Sequence, residues 1–167
     1  MKKIRLFVFL MISVLSCVMF SGCGGSSSVL VTNHDRPVYN LCSSISHKDG
    51  ATYLNCFMPA ARKAYLASKD SAGPEEIVAG VLEKSGLESD SELSCEIISR
   101  TEISDSEKEK LQHQYKKNYS KNDTIEKAFL LSAAIAGGKR TIVKDLTVVL
   151  IDDSWYIYGD VIESFKF

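Results

Sequence analysis

Apolar side chains recur along this chain with two different periods, and the change from one to the other divides it. Val38, Leu41, Cys42 and Ile45 stand at i, i+3, i+4 and i+7, a single helical stripe that Pro37 opens as a first-turn residue. His47-Lys48-Asp49-Gly50 interrupts it, and a second helix carries Tyr53, Leu54, Phe57 and Met58 on one side. Pro59 ends that helix and starts a third, with Ala61, Ala64 and Tyr65, reaching about Ser68. After a break at Ser71 to Pro74, Glu75 to Ser85 forms a fourth helix with Ile77, Val78, Val81 and Leu82 inward and Gly86 as its left-handed stop.

Beyond residue 92 the period drops to two. Leu93, Cys95 and Ile97 alternate with polar residues in a half-buried strand to about Ile103. Ser104-Asp105-Ser106-Glu107 has the spacing of a capping box and launches a helix to about Tyr119, whose thin stripe of Leu111, Tyr115 and Tyr119 suits a surface position. Three strands close the chain. A turn at Gly137-Gly138 pairs Phe129 with Leu146 and Ala133 with Ile142, and a turn at Asp152-Asp153 pairs Leu150 with Trp155 and Val148 with Ile157. Both registers gather Phe129, Leu131, Leu146, Val148, Leu150, Trp155 and Ile157 on one face, which a slip of one residue would scatter. The expected fold class is α+β, with N-terminal helices packed on a meander of about four antiparallel strands.

The start of the chain follows neither period. Lys2, Lys3 and Arg5 precede an apolar run from Leu6 to Phe20, about 22 Å long as a helix and short of a ~30 Å hydrocarbon core. Residues 1–22 therefore read as a secretory signal. Phe20-Ser21-Gly22-Cys23 resembles the lipobox of bacterial lipoproteins, which implies that Cys23 is lipidated and becomes the first residue of the processed chain. Each buried CH₂ of the attached acyl chains contributes about 0.8 kcal/mol, so two chains anchor stably. Gly24-Gly25-Ser26-Ser27-Ser28 opens a flexible tether over 23–36, with a reach of about 20 Å, and 37–167 is expected to be one domain. Removing 22 of 167 residues leaves 145, in which 17 Lys and Arg face 21 Asp and Glu, a net charge of −4. Anionic head groups repel such a body, so the lipid must hold it on the extracytoplasmic face of the cell membrane. The same balance speaks against a nucleic-acid partner.

The order of motifs is similar to that of a group of uncharacterised lipoproteins from Gram-positive bacteria. The likeness runs from the lipobox and tether through Asp49-Gly50, Tyr53-Leu54 and Phe57-Met58-Pro59. It continues in Thr101-Glu102-Ile103-Ser104 and in the closing Ile151-Asp152-Asp153-Ser154-Trp155-Tyr156-Ile157. The resemblance implies a cystatin-like, cone-shaped domain shared with nuclear-transport-factor-like proteins and polyketide-cyclase-like enzymes, set in the cell envelope. It supplies no catalytic residues.

Candidate chemistry is sparse. His34 falls in the tether, His47 in a break, and His113 about 200° around its helix from Leu111, toward water. Enzymes of the cone-shaped fold use a buried Asp, Tyr or His between sheet and helices. Asp145, on the face of Val143, Thr147 and Val149, is the candidate acid here, and Tyr156 and Tyr158 share that face as pocket candidates. The competing reading makes Asp145 a solvent-side carboxylate. Once Cys23 is lipidated, Cys42, Cys56 and Cys95 remain; Cys42 and Cys56, on consecutive helices, are the candidate disulfide, and three buried thiols are the alternative. No Walker, Rossmann, nucleophile-elbow or HExxH motif occurs, and neither a cofactor nor a metal is expected. The expectation is a non-enzymatic domain that binds a small molecule or another envelope protein. The alternative is a small isomerase or hydrolase with a cavity between sheet and helices.

Overall fold

A computed structural model of the chain describes residues 32–68, 72–85 and 92–161, and within them an α+β fold. Asn33–Asp35 is a 3₁₀ turn, followed by α1 (Arg36–Ser46), α2 (Gly50–Asn55), α3 (Pro59–Ala67) and α4 (Pro74–Ser85). Strand β1 (Ser94–Glu102) and helix α5 (Asp105–Tyr119) precede β2 (Lys127–Gly137), β3 (Arg140–Ile151) and β4 (Ser154–Ile157). The four strands form an antiparallel meander in the order β1-β2-β3-β4. Cys23 and the Gly86 helix stop lie outside the described residues.

The apolar stripes become the core. Val38, Leu41, Cys42 and Ile45 of α1, Tyr53 and Leu54 of α2, and Ile77, Val78, Val81 and Leu82 of α4 are buried. They share one cluster with Ile97, Leu131, Ala133, Ile135, Leu146, Val148 and Ile157, the inner sheet face. A smaller cluster occupies part of the outer face, where Tyr115 of α5 meets Ala128, Val149, Ile151 and Met58. Tyr115 is the one residue of α5 that is fully enclosed, as the thin stripe implies. At the helix start, Ser104 donates its hydroxyl to the Glu107 carboxylate at 2.6 Å, a bond between side chains that takes the place of the expected box of side-chain-to-backbone bonds.

One of the two hairpins keeps the expected register and the other shifts by two residues. Asp152-Asp153 is the β3–β4 turn, pairing Leu150 with Trp155 and Val148 with Ile157 as expected. Both aspartates take left-handed φ, 49° and 60°, the backbone of a type I′ turn. The β2–β3 turn is Gly138-Lys139, with Gly137 paired to Arg140, so Phe129 opposes Val148 and Leu131 opposes Leu146. Gly138, at φ 61°, supplies the positive φ that the first turn position requires. The partner has moved by two residues, which keeps every side chain on its expected face.

Three further departures have local causes. Phe57 and Met58 leave the second helix, because Pro59 excludes helical geometry at Met58, which stands at φ −50° and ψ 140°. The freed segment runs beside β4: Ile157 N–H donates to the Cys56 carbonyl at 2.8 Å, and Met58 N–H to the Ile157 carbonyl at 3.4 Å. Strand β1 carries a bulge, since Ile97 pairs with Ala133 but Ser99 with Ser132, leaving Ile98 extra and exposed. Past that bulge the faces exchange, and Arg100, opposite Leu131, is turned toward the helices. Finally, residues 32–36, expected in the tether, are part of the folded body. Asp35 is fully buried and His34 stacks on Phe129 with centroids 4.3 Å apart and planes 3° from parallel.

Candidate functional site

Three pieces of chain that the fold brings together enclose a cleft of about 390 Å³, within the size range of small-ligand sites. Asn33 comes from the turn before α1, and Arg36, Pro37 and Asn40 from the first two turns of α1 itself. Thr52, Asn55 and Cys56 come from α2 and its end. Asp153, Ser154 and Trp155 come from the β3–β4 turn and the strand it starts. The left-handed turn thus sets the indole at one wall and a carboxylate at the rim.

Polar groups here are largely uncommitted. Among the described residues the side chains of Asn33, Arg36, Asn40, Asp153 and Ser154 have no hydrogen-bond or ion-pair partner. Asn55 accepts from Arg62 through its carbonyl oxygen, leaving its NH₂ free to donate. Thr52 donates to Asp49 at 2.6 Å, leaving its oxygen lone pairs to accept. Trp155 is fixed from behind by an aromatic group: its ring lies 5.6 Å from His34 and 5.7 Å from Phe129, both in edge-on geometry. The cleft therefore offers one cation, one anion, several amides and an apolar plate.

Its single thiol is chemically quiet. Cys56 is buried, donates to the Thr52 carbonyl at 3.2 Å, and burial pushes its pKa up to about 12, so it stays protonated at neutral pH. The lining can hold a polar molecule by hydrogen bonds and stacking, without a nucleophile activated among its members.

The structure disperses the residues singled out from the sequence. Asp145 is exposed on the outer sheet face, opposite Ser132, and does not enter a cavity. The physical reason is that α5 covers only the end of that face formed by Ala128, Val149 and Ile151, while Val143 beyond it stands 63% exposed. Tyr156 and Tyr158 are half-buried against the α5 cluster, where Tyr158 donates to the Leu111 carbonyl at 3.0 Å. Cys42 and Cys56 are both free thiols; Cys42 meets Cys95, while Cys56 points to its own helix. Trp155 was legible as a face residue of β4 but not as a cleft wall, and the cleft's signal in the sequence is the Asn33, Arg36, Asn40 spacing, which runs across the expected tether boundary.

Among the described residues no cluster of His, Cys, Asp and Glu is arranged to hold a metal, and no helix is long and apolar enough to cross a membrane. Compared with protein-family models, curated proteins and solved structures, the chain finds no match.

Proposed function

We propose that this protein is an extracytoplasmic lipoprotein, anchored in the cell membrane through acyl chains on Cys23, whose folded domain binds a small polar molecule in the cleft beside Trp155. Helices packed against a four-stranded meander make a cystatin-like cone the proposed fold type. The anchor rests on the cationic start, the apolar run and Ser21-Gly22-Cys23. The observation that carries the binding role is the convergence of unpartnered Asn33, Arg36 and Asn40 side chains on a braced indole. Unpaired amides and a guanidinium left at a concave surface favour a ligand with several hydrogen-bonding groups. The enzymatic alternative relied on Asp145 as a cavity acid, and its exposure takes that support away.

Trp155 is the chain's one tryptophan, so its emission reports on the cleft alone. Titration with a panel of amino acids, short peptides and amino sugars is expected to give saturable quenching with at least one class. Asn40→Ala and Arg36→Ala, both at exposed positions, are expected to weaken that binding about tenfold without unfolding the domain. A panel that leaves both emission and melting temperature unchanged would overturn the binding role. For the anchor, Cys23→Ser should abolish partitioning into detergent; a processed form that still partitions overturns it.

A further inference from the structure

Helix α1 and strand β1 run side by side and touch at regular steps. Asp35 meets Arg100, Tyr39 lies beside Ile97, and Ser46 accepts from the Leu93 N–H at 2.9 Å. Between the second and third of these contacts Cys42 of the core faces Cys95, which packs against the same cluster. The helix positions 35, 39, 42 and 46 lie on one face at steps of four, three and four, and the strand positions 100, 97, 95 and 93 descend opposite them. The two sulfurs are thus pinned from both ends by independent polar contacts. Cys56 is excluded from this line, its thiol bonded to Thr52.

We propose that Cys42 and Cys95 are oxidised to a disulfide that staples α1 to β1 in the exported protein. An S–S bond requires the sulfurs to close to about 2 Å, and the bonds of Asp35 to Arg100 and of Leu93 to Ser46 already hold α1 against β1 on either side of the pair. Cys95 is half-exposed and can reach an incoming disulfide, while Cys42 is buried behind it. The neighbouring Cys95 thiol, together with burial, pushes the Cys42 thiol up, and Cys42 in turn pulls Cys95 down toward the reactive thiolate.

The oxidant is a dithiol–disulfide oxidoreductase or a low-molecular-weight disulfide, R–S–S–R. The Cys95 thiolate attacks it, forming a mixed disulfide and releasing one R–SH. Cys42 then gives up its proton and displaces the second R–SH from Cys95. Two protein thiols lose two hydrogens, and one donor disulfide gains them. The inference rests on the export reading only for the supply of oxidant, since disulfides persist outside the cytoplasm. The pairing itself rests on the contact of α1 with β1.

Two measurements on the full chain, extracted in detergent, test the two parts separately. Incubation of reduced protein with oxidised glutathione, followed by peptide mapping without reductant, is expected to yield a peptide linked through Cys42 and Cys95. A Cys42–Cys56 link, or glutathione held on Cys95 with no internal bridge, overturns the pairing whatever the location. Thiol trapping with acid quench in whole cells is expected to leave Cys42 and Cys95 unlabelled until reduction. Labelling of both in cells, by protein that does oxidise in vitro, overturns the bridge in the exported protein and implicates the export reading. Reduction is expected to lower the melting temperature of the wild type and of Cys56→Ser by about 10 °C, and to leave Cys95→Ser unmoved.

Discussion

Asp35 and Arg100, sixty-five residues apart, join the start of the folded body to the strand that a bulge has turned toward it. The Asp35 carboxylate is buried and accepts from Arg100 Nε at 3.0 and 3.1 Å, from Arg100 Nη2 at 2.8 Å, and from the Thr32 backbone N–H at 3.2 Å. Burial by itself would raise this carboxyl. The guanidinium and the Thr32 donors outweigh burial and hold its pKa below the ordinary aspartate value. Arg100 reaches the pair only because the extra residue Ile98 exchanges the faces of β1.

Removing the partner is therefore expected to cost more than neutralising the acid. Arg100→Met leaves a buried carboxylate without its fork and is expected to lower stability by about 3 kcal/mol. Asp35→Asn keeps an acceptor for Thr32 and leaves a half-exposed guanidinium to water, and about 1–2 kcal/mol is expected. Urea unfolding at pH 7 distinguishes the two.

The same pair fixes a pH dependence. A folded-state pKa below the unfolded one stabilises the protein fully above the unfolded value of about 3.9, and this contribution fades as pH falls through the folded value. The wild type should lose its stability advantage over Asp35→Asn as pH is lowered below about 4. Asp49, Asp105 and Glu107 are also held below their ordinary values, by hydrogen bonds from Thr52, Lys108 and Ser104 respectively, but they are common to both proteins and cancel in the difference.

Gly50 begins α2 against the start of α4, where a Cβ would overlap the backbone carbonyl of Pro74. Gly50→Ala must push the two helices apart, and a loss of about 2–3 kcal/mol is expected in thermal or urea unfolding. Gly80, on α4 with open space at its Cβ position, is the control: Gly80→Ala is expected to stabilise by about 0.5–1 kcal/mol.

The β3–β4 turn holds two non-glycine residues at positive φ. Replacing Asp152-Asp153 with Asn-Gly relieves that backbone and is expected to raise stability by about 1 kcal/mol, read as a higher unfolding midpoint.

Helix α5 depends on one enclosed side chain. Tyr115 is buried and donates to Asp123 at 2.8 Å, and burial together with that carboxylate pushes its phenol pKa up. Tyr115→Phe loses the hydrogen bond, about 1 kcal/mol, whereas Tyr115→Ala opens a cavity at about 3–5 kcal/mol. Hydrogen exchange should show α5 amides losing protection in the Ala variant before those of β2 and β3.

Much of this architecture could be read from periodicity. The α1 and α4 stripes are buried as written in the sequence, and the Asp-Asp hairpin keeps its register. The Gly-Gly hairpin shows the limit: Gly138-Lys139 satisfies a two-residue turn as well as Gly137-Gly138 does, and a partner shift of two leaves every face unchanged. The bulge at Ile98 was hidden for a related reason, because Leu93, Cys95 and Ile97 alternate cleanly until the extra residue intervenes. The cleft escaped because its walls are polar. Asn33, Arg36 and Asn40 leave no mark in an apolar pattern, and the contact of α1 with the β3–β4 turn joins segments more than a hundred residues apart. Cys42 and Cys95 were separated by the same distance problem, while Cys56 lay nearby in sequence.

The extended segment Cys56–Met58 has one more consequence. It grips β4 from one side while Val148 and Leu150 hold it from the other, so the last strand made is clasped by one of the first segments made. A nascent chain lacking residue 157 has neither its fourth strand nor a fastening for the helices' far end. Closure of the domain then waits on a strand about a hundred residues downstream of the segment that clasps it.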